Sequence, residues 1–233
     1  MSHFKLKNYI KSFEDLHAAV KDYGNSTVIY RGVRDMAYPL VPKIGRYKKL
    51  RAASGLQEAP ANRIKEELTI LRLFKERAIP HLDFIPDSDW EWLAIAQHHG
   101  LPTRLLDWTR NPLVAAYFAV RSEHAGDSAI YAYHDKHYID ISKHSNPFKY
   151  PKVGRFIPPH IAQRITAQTG IFTIHPSPTV PFEDSSVERF IIKQEFRRPL
   201  KKMLFRYGTH AASLFPDLDG LAEHIEWMRT DVY

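Results

Sequence analysis

The stretch 92-WLAIAQHHGLPTRLLDWTRNPLVAAYFAV-120 decides how this chain is read. It opens as an apolar helix, passes through a compact polar segment and closes as a second apolar helix. Trp92, Leu93 and Ala96 lead to a stop at Gly100, and Asn111-Pro112 offers a cap and a first-turn proline for the next helix. Between them lie His98, His99, Thr103, Arg104, Asp107, Trp108 and Thr109. The segment reads as a tight polar loop held between rigid anchors. Loops of that kind are where binding and chemistry concentrate, so a candidate site is placed here.

Working outward, Ser12 caps a helix over Phe13–Tyr23 that ends at Gly24. Thr27–Tyr30 is β-branched and aromatic, and reads as a short strand running straight into Arg31-Gly32. A loop rich in proline and basic residues follows (Pro39, Pro42, Lys43, Arg46, Lys48, Lys49, Arg51), then an irregular region over 52–62. Leu68, Leu71 and Phe74 share one face of a helix over Arg63–Ala78, which Pro80 ends. Ser88 with Glu91 forms a capping box for the helix through Trp92. The helix opened by Asn111 is expected to close near Gly126. Strands are expected at Ala129–Tyr133, Ile171–Ile174 and Arg189–Lys193, and mostly loop over Tyr138–Pro159. Further helices are read at His160–Thr169, Pro199–Tyr207 and Asp219–Met228. Without a regular βαβ rhythm, the order implies an α+β fold: a single domain of short mixed or antiparallel strands packed by several helices.

The 233 residues are 44% hydrophobic and 12% aromatic, enough for one sizeable core. With no cysteine, disulfides, thiolate nucleophiles, zinc–thiolate sites and iron–sulfur clusters are excluded. The opening MSHFKLKNYIKSFED has no apolar signal core. The apolar run Pro112–Val120 falls far short of the about 20 residues that span a bilayer. A soluble cytoplasmic protein without membrane partners is expected. The net charge of +7 and pI of about 9.4 favour anionic partners: nucleic acid, nucleotide or an acidic protein.

Several residues are candidates for chemistry. Arg31, at the expected end of its strand, can fork onto a phosphate, and Gly32 can let a ligand approach the backbone; the alternative is a structural arginine on a buried carboxylate. Gln97, His98 and His99 end a helix. Successive side chains diverge by about 100°, so the two histidines do not share one ligand, and no metal site is expected. Arg104 and Asp107 are close enough in sequence to pair and hold the loop. Asp107 can also serve the following helix N-terminus, leaving Thr109 for a ligand. His160, Arg164 and Gln168 form a polar stripe. Glu195 follows a strand and can act as a carboxylate base. No dinucleotide glycine motif, Walker loop or nucleophile elbow occurs. The basic clusters Lys43–Arg51 and Arg197–Arg206 lack the aromatic interleaving of an RNA platform, apart from Tyr47 and Tyr207.

The chain resembles the FRG-domain family, named for an aromatic-Arg-Gly motif that is Tyr30-Arg31-Gly32 here. The likeness continues through Ala96-Gln97-His98-His99-Gly100-Leu101-Pro102-Thr103-Arg104-Leu105-Leu106-Asp107-Trp108-Thr109 and Asn111-Pro112-Leu113. It resumes at Ala167-Gln168-Thr169-Gly170 and at Phe215-Pro216-Asp217-Leu218-Asp219-Gly220-Leu221. The resemblance implies an N-terminal helical segment over 1–26, then the family's domain over 27–233. It also implies a bacterial or phage setting of conflict or stress, as in toxins and phage defence. Ile29-Tyr30-Arg31-Gly32 is further similar to the first NAD-contacting motif of arginine-type ADP-ribosyltransferases, in which an arginine grips the dinucleotide phosphates. Thr109 or Thr173 would stand in for the second motif of those enzymes and Glu195 for the third, although no Glu-x-Glu pair is present. The expectation is therefore an enzyme acting on a nucleotide such as NAD, by ADP-ribosyl transfer or NAD glycohydrolysis. Tyr30, Arg31, Gly32, Gln97, Thr103, Arg104, Thr109 and Gln168 would bind it. Arg31, His98, Asp107 and Glu195 would be catalytic, with a nucleic acid or protein as possible acceptor. The alternative is a nucleic-acid-binding module or nuclease without NAD chemistry.

Overall fold

A computed structural model describes residues 5–21, 23, 28–52, 55–58, 63–135, 137–158 and 169–230. Within them runs one seven-stranded mixed sheet, built from β1 (Lys5–Ile10), β2 (Val28–Val33), β5 (Leu105–Thr109), β6 (Ser128–His134), β7 (Gly154–Phe156), β8 (Gly170–Ile174) and β9 (Val187–Ile192). Its order is β1-β9-β6-β2-β5-β8-β7. β1 pairs with β9 in parallel, and every other ladder of the sheet is antiparallel. A separate hairpin joins β3 (Lys49–Ala52) to β4 (Gly55–Glu58). The helices are α1 (Phe13–Val20), α2 (Ile64–Ala78), α3 (Asp89–His98), α4 (Pro112–Val120), α5 (Gln194–Arg206), α6 (Ala211–Leu214) and α7 (Leu218–Thr230). The fold is α+β, as the interspersed helix and strand signals imply.

Alternation along the strands divides the core. Tyr30, Ile130, Ala132, Phe190 and Ile192 pack with α4, Leu16 of α1 and Leu200 and Leu204 of α5. Their neighbours Ile29, Ala129, Tyr131, Tyr133 and Ile191 face the other way, with Trp108, Leu40 and Phe182. A third cluster joins Leu105, Phe172 and Ile174 to Trp90, Trp92, Leu93 and Ala94 of α3 and Leu71 of α2.

The structure corrects several expectations. The segment between α3 and α4 is not all loop, because Leu105–Thr109 is a strand inside the sheet. Its polar residues alternate with buried Leu106 and Trp108, and one of them, Asp107, lies exposed opposite Phe172. β2 runs on through Val33, so Arg31 sits within the strand rather than at its end. The region over 52–62 is entered by the β3–β4 hairpin, and β7 lies within the expected loop over Tyr138–Pro159. α4 stops at Val120, short of Gly126, where Arg121 turns to pair with Glu223. α5 begins at Gln194, five residues before Pro199, because the Gln194 N–H donates to Asp127 from a distant turn (2.9 Å). Pro199 rides inside that helix at the loss of one backbone hydrogen bond. Ser88 does cap α3, accepting from the Glu91 N–H, but the Glu91 carboxylate accepts from Asp87 instead of closing the box. The expected helix over His160–Thr169, with His160, Arg164 and Gln168, lies outside the described residues apart from Thr169.

Candidate functional site

A cavity of about 320 Å³ opens on one face of the sheet, over β2, β5 and β8. Gln97 and His98, at the C-terminal end of α3, form one wall. Ala115 and Phe118 of α4 form the other, with Arg121 and Phe215 beyond them. The floor is Tyr30, Gly32, Asp107, Thr109 and Phe172, with Arg31 at its edge. Its volume is at the lower end of the range of small-molecule sites, which is about 300–1,000 Å³.

The topology gathers these groups. β2 and β5 pair at a single position, Tyr30 with Thr109. Beyond it the Arg31 side chain takes the place of a ladder bond, donating to the Asp107 carbonyl at 2.5 Å and lying 3.5 Å from its Oδ2. Gly100, at φ +79°, ends α3 by reversing the chain, and the Leu101 N–H returns to the Ala96 carbonyl. That reversal sets Gln97 above β5. Thr103 Oγ1 donates to Gln97 Oε1 at 2.6 Å, and Gln97 Nε2 donates to Asp107 Oδ2 at 2.8 Å. A hydrogen-bonded chain Thr103–Gln97–Asp107–Arg31 thus fixes one carboxylate and one guanidinium at the cavity floor.

The surroundings are basic and partly apolar. Arg46 lies close enough to Arg31 for its proton affinity to be lowered, first by burial and then by that neighbouring charge. Burial pushes the Tyr30 phenol up to about 12, so it stays protonated. At the far wall Arg121 lies 4.2 Å over the Phe215 ring and is gripped through two nitrogens by Glu223. Phe118 meets Phe215 edge-on. Beneath the floor His175 Nε2 is 2.9 Å from Thr173 Oγ1. Burial, with the charges of Arg31 and Arg104, pulls the His175 pKa down to about 3, so it is neutral.

Seven of the expected site residues line this one cavity: Tyr30, Arg31, Gly32, Gln97, His98, Asp107 and Thr109. Others are placed elsewhere. Thr103 is buried and acts through Gln97. Arg104 does not pair with Asp107; both its Nε and Nη2 donate at 2.8 Å to the buried Glu67 of α2. Arg104 precedes β5 and lies three residues from Asp107, so on nearly extended backbone the two point to opposite sides and each finds partners from other elements. Glu195 sits in the first turn of α5 and does not line the cavity. Asp107 stands within β5 rather than at a helix start; Thr109 and Asn111 supply the turn, accepting from the Asn111 and Leu113 N–H groups. His98 lines the cavity and His99 a separate groove beside Phe74 and Leu82, although the two rings meet edge-on with centroids 4.9 Å apart. Gly32 serves packing, since a Cβ there would lie 1.8 Å from the Ala115 carbonyl oxygen of α4. Gln168 lies outside the described residues.

Sequence reading missed Phe118, Arg121, Phe172 and Phe215 as site residues. Phe118, Phe172 and Phe215 belong to the segments that carry the family resemblance, but nothing in their spacing gives them a role. Arg121 follows a helix end with no local signal.

Residues 26–128 match the family model for the FRG domain. This protein carries an FRG domain. The matched segment runs from the start of β2 to the first residue of β6, and so holds the hydrogen-bonded chain of Thr103, Gln97, Asp107 and Arg31. Phe172 and Phe215 complete the FRG cavity from beyond the match. No curated protein and no solved structure matches the chain.

Proposed function

We propose that the FRG cavity binds a nucleotide, NAD first among candidates, and that the protein cleaves its nicotinamide–ribose bond. ADP-ribose passes to an acceptor or to water. The reading rests on one observation: Arg31 and Asp107, a fixed cation and a fixed carboxylate, meet in a cavity that also offers aromatic walls. An arginine fork suits phosphate. Asp107 is the carboxylate among the described residues lining the cavity, so it takes the role first given to Glu195. It would stabilise positive charge on the ribose as the C–N bond breaks. The bond pair leaves with nicotinamide, and the incoming hydroxyl gives up its proton. Gln97 and Thr103 orient the carboxylate, and His98 stands at the wall as a hydrogen-bonding partner. The setting we assign is intracellular, in a toxin or phage-defence role.

The test is nicotinamide release from NAD by the purified protein, with and without lysate. Release by wild type, with Arg31→Ala losing NAD binding and Asp107→Asn slower by about 10²-fold or more, is the expected result. Undiminished release by both variants would remove this assignment. Absence of release, joined to tight, salt-dependent nucleic-acid binding, would transfer the function to nucleic-acid recognition.

A further inference from the structure

The C-terminal helix α7 is tightly seated on its inner face. Gly220 and His224 are buried, and a Cβ at Gly220 would lie 2.1 Å from the Phe215 carbonyl oxygen. Glu223 grips Arg121, and His224 stacks on His210 with ring centroids 4.1 Å apart. The neighbouring flank is different. Leu218, Leu221, Ile225 and Met228 leave 81%, 45%, 46% and 48% of their surface to solvent. These four side chains follow the spacing i, i+3, i+7, i+10, which is one continuous stripe on a helix. Apolar surface of a few hundred Å² in one patch marks an interaction site on an otherwise polar exterior.

We propose that this stripe is an isologous interface through which two copies of the chain pair with their α7 helices antiparallel. The spacing argues for a second copy. Steps of three, four and three residues read the same in both directions, so a two-fold axis near position 223 sets Leu218 against Met228 of the second copy and Leu221 against Ile225. Charge argues for the antiparallel sense. Asp217 and Asp219 stand at the start of the helix and Arg229 at its end. Antiparallel pairing brings Arg229 to the acidic, dipole-positive start of the other helix while opposing the two macrodipoles; parallel pairing would align like charges. Two such stripes bury on the order of 800 Å² before any polar rim, below the about 1,200 Å² of a stable interface, so the dimer is weak and concentration-dependent.

Sedimentation velocity from low micromolar to several hundred micromolar is the test. Wild type is expected to shift from the 27.1 kDa monomer to twice that mass. Ile225→Glu should remain monomeric with an unchanged melting temperature, since the position is solvent-facing. A wild-type monomer throughout, or a dimer indifferent to Ile225→Glu, overturns the proposal. The absence of cysteine makes the geometry separately readable. Ala222→Cys, near the two-fold, should form a disulfide-linked dimer on mild oxidation, as should Leu218→Cys combined with Met228→Cys. Leu218→Cys alone should not. Cross-linking by Leu218→Cys alone would mean parallel helices and overturn the antiparallel assignment.

Discussion

Two arginine contacts, one buried and one at the cavity, show how residue type and partner together set a role. Arg104 and Glu67 are almost fully buried and joined by two hydrogen bonds. Removing either partner strands a charge in the core, at about 3–5 kcal/mol. Arg104→Met is therefore expected to lower denaturant stability by that amount, and Arg104→Met with Glu67→Leu by much less. Arg31→Ala should cost less, about 1–2 kcal/mol, because it removes one β2–β5 link but leaves the Asp107 groups open to water at the cavity. Comparing the chemical denaturation midpoints separates the arginine of the core from the arginine at the cavity. His175 gives a second residue-scale outcome. Its folded pKa of about 3 lies below the ordinary 6.5, so below pH 6.5 the unfolded chain binds the extra proton. Its contribution is present above pH 6.5 and is lost as pH falls toward 3. His175→Gln, which cannot titrate, should lose less stability than wild type across that window in a series of urea melts.

Between β2 and α4 the contact is backbone to backbone. Gly32→Ala is expected to push α4 from the sheet and lower stability by about 3 kcal/mol, read as a fall in melting temperature. A ligand-approach role for Gly32 would instead leave stability intact and weaken binding. The helices were the legible elements, because caps and stops such as Ser12, Ser88, Gly100 and Asn111-Pro112 are local. β2, β6, β8 and β9 announced themselves through β-branched and aromatic runs. β5 did not: Thr103 to Thr109 carries the polar residues that usually mark a loop, and only its place between β2 and β8 makes it a strand. β1 and β7 have no apolar alternation strong enough to read. The motif held residues that line the cavity, while their convergence depends on a pairing order that one sequence does not encode. The Arg104–Glu67 pair spans elements far apart in the chain and was hidden for the same reason, as was the Asp127 cap on α5.

As a whole the molecule couples a net charge of +7 to a cavity whose polar groups are already in place. Binding a nucleotide at one hundred times its dissociation constant adds about 2.7 kcal/mol to the folded state. For a chain of this size that is a rise of about 5–10 °C in melting temperature. The rise should appear with NAD and vanish in Arg31→Ala, as read by scanning calorimetry at fixed salt. Among the described residues no helix is long and apolar enough to cross a membrane.

The sheet also fixes an order of events in synthesis. β1 opens the described chain, yet its partner β9 is among the last strands to be made. At roughly 5–20 residues per second, the first strand leaves the ribosome on the order of ten seconds before its neighbour exists. β6, which lies between β9 and β2, is made as the FRG segment ends and joins β2 well before β9 exists. The nascent sheet therefore waits with an open β6 edge until β9 arrives, so chaperone protection during translation should raise the amount of protein a cell recovers.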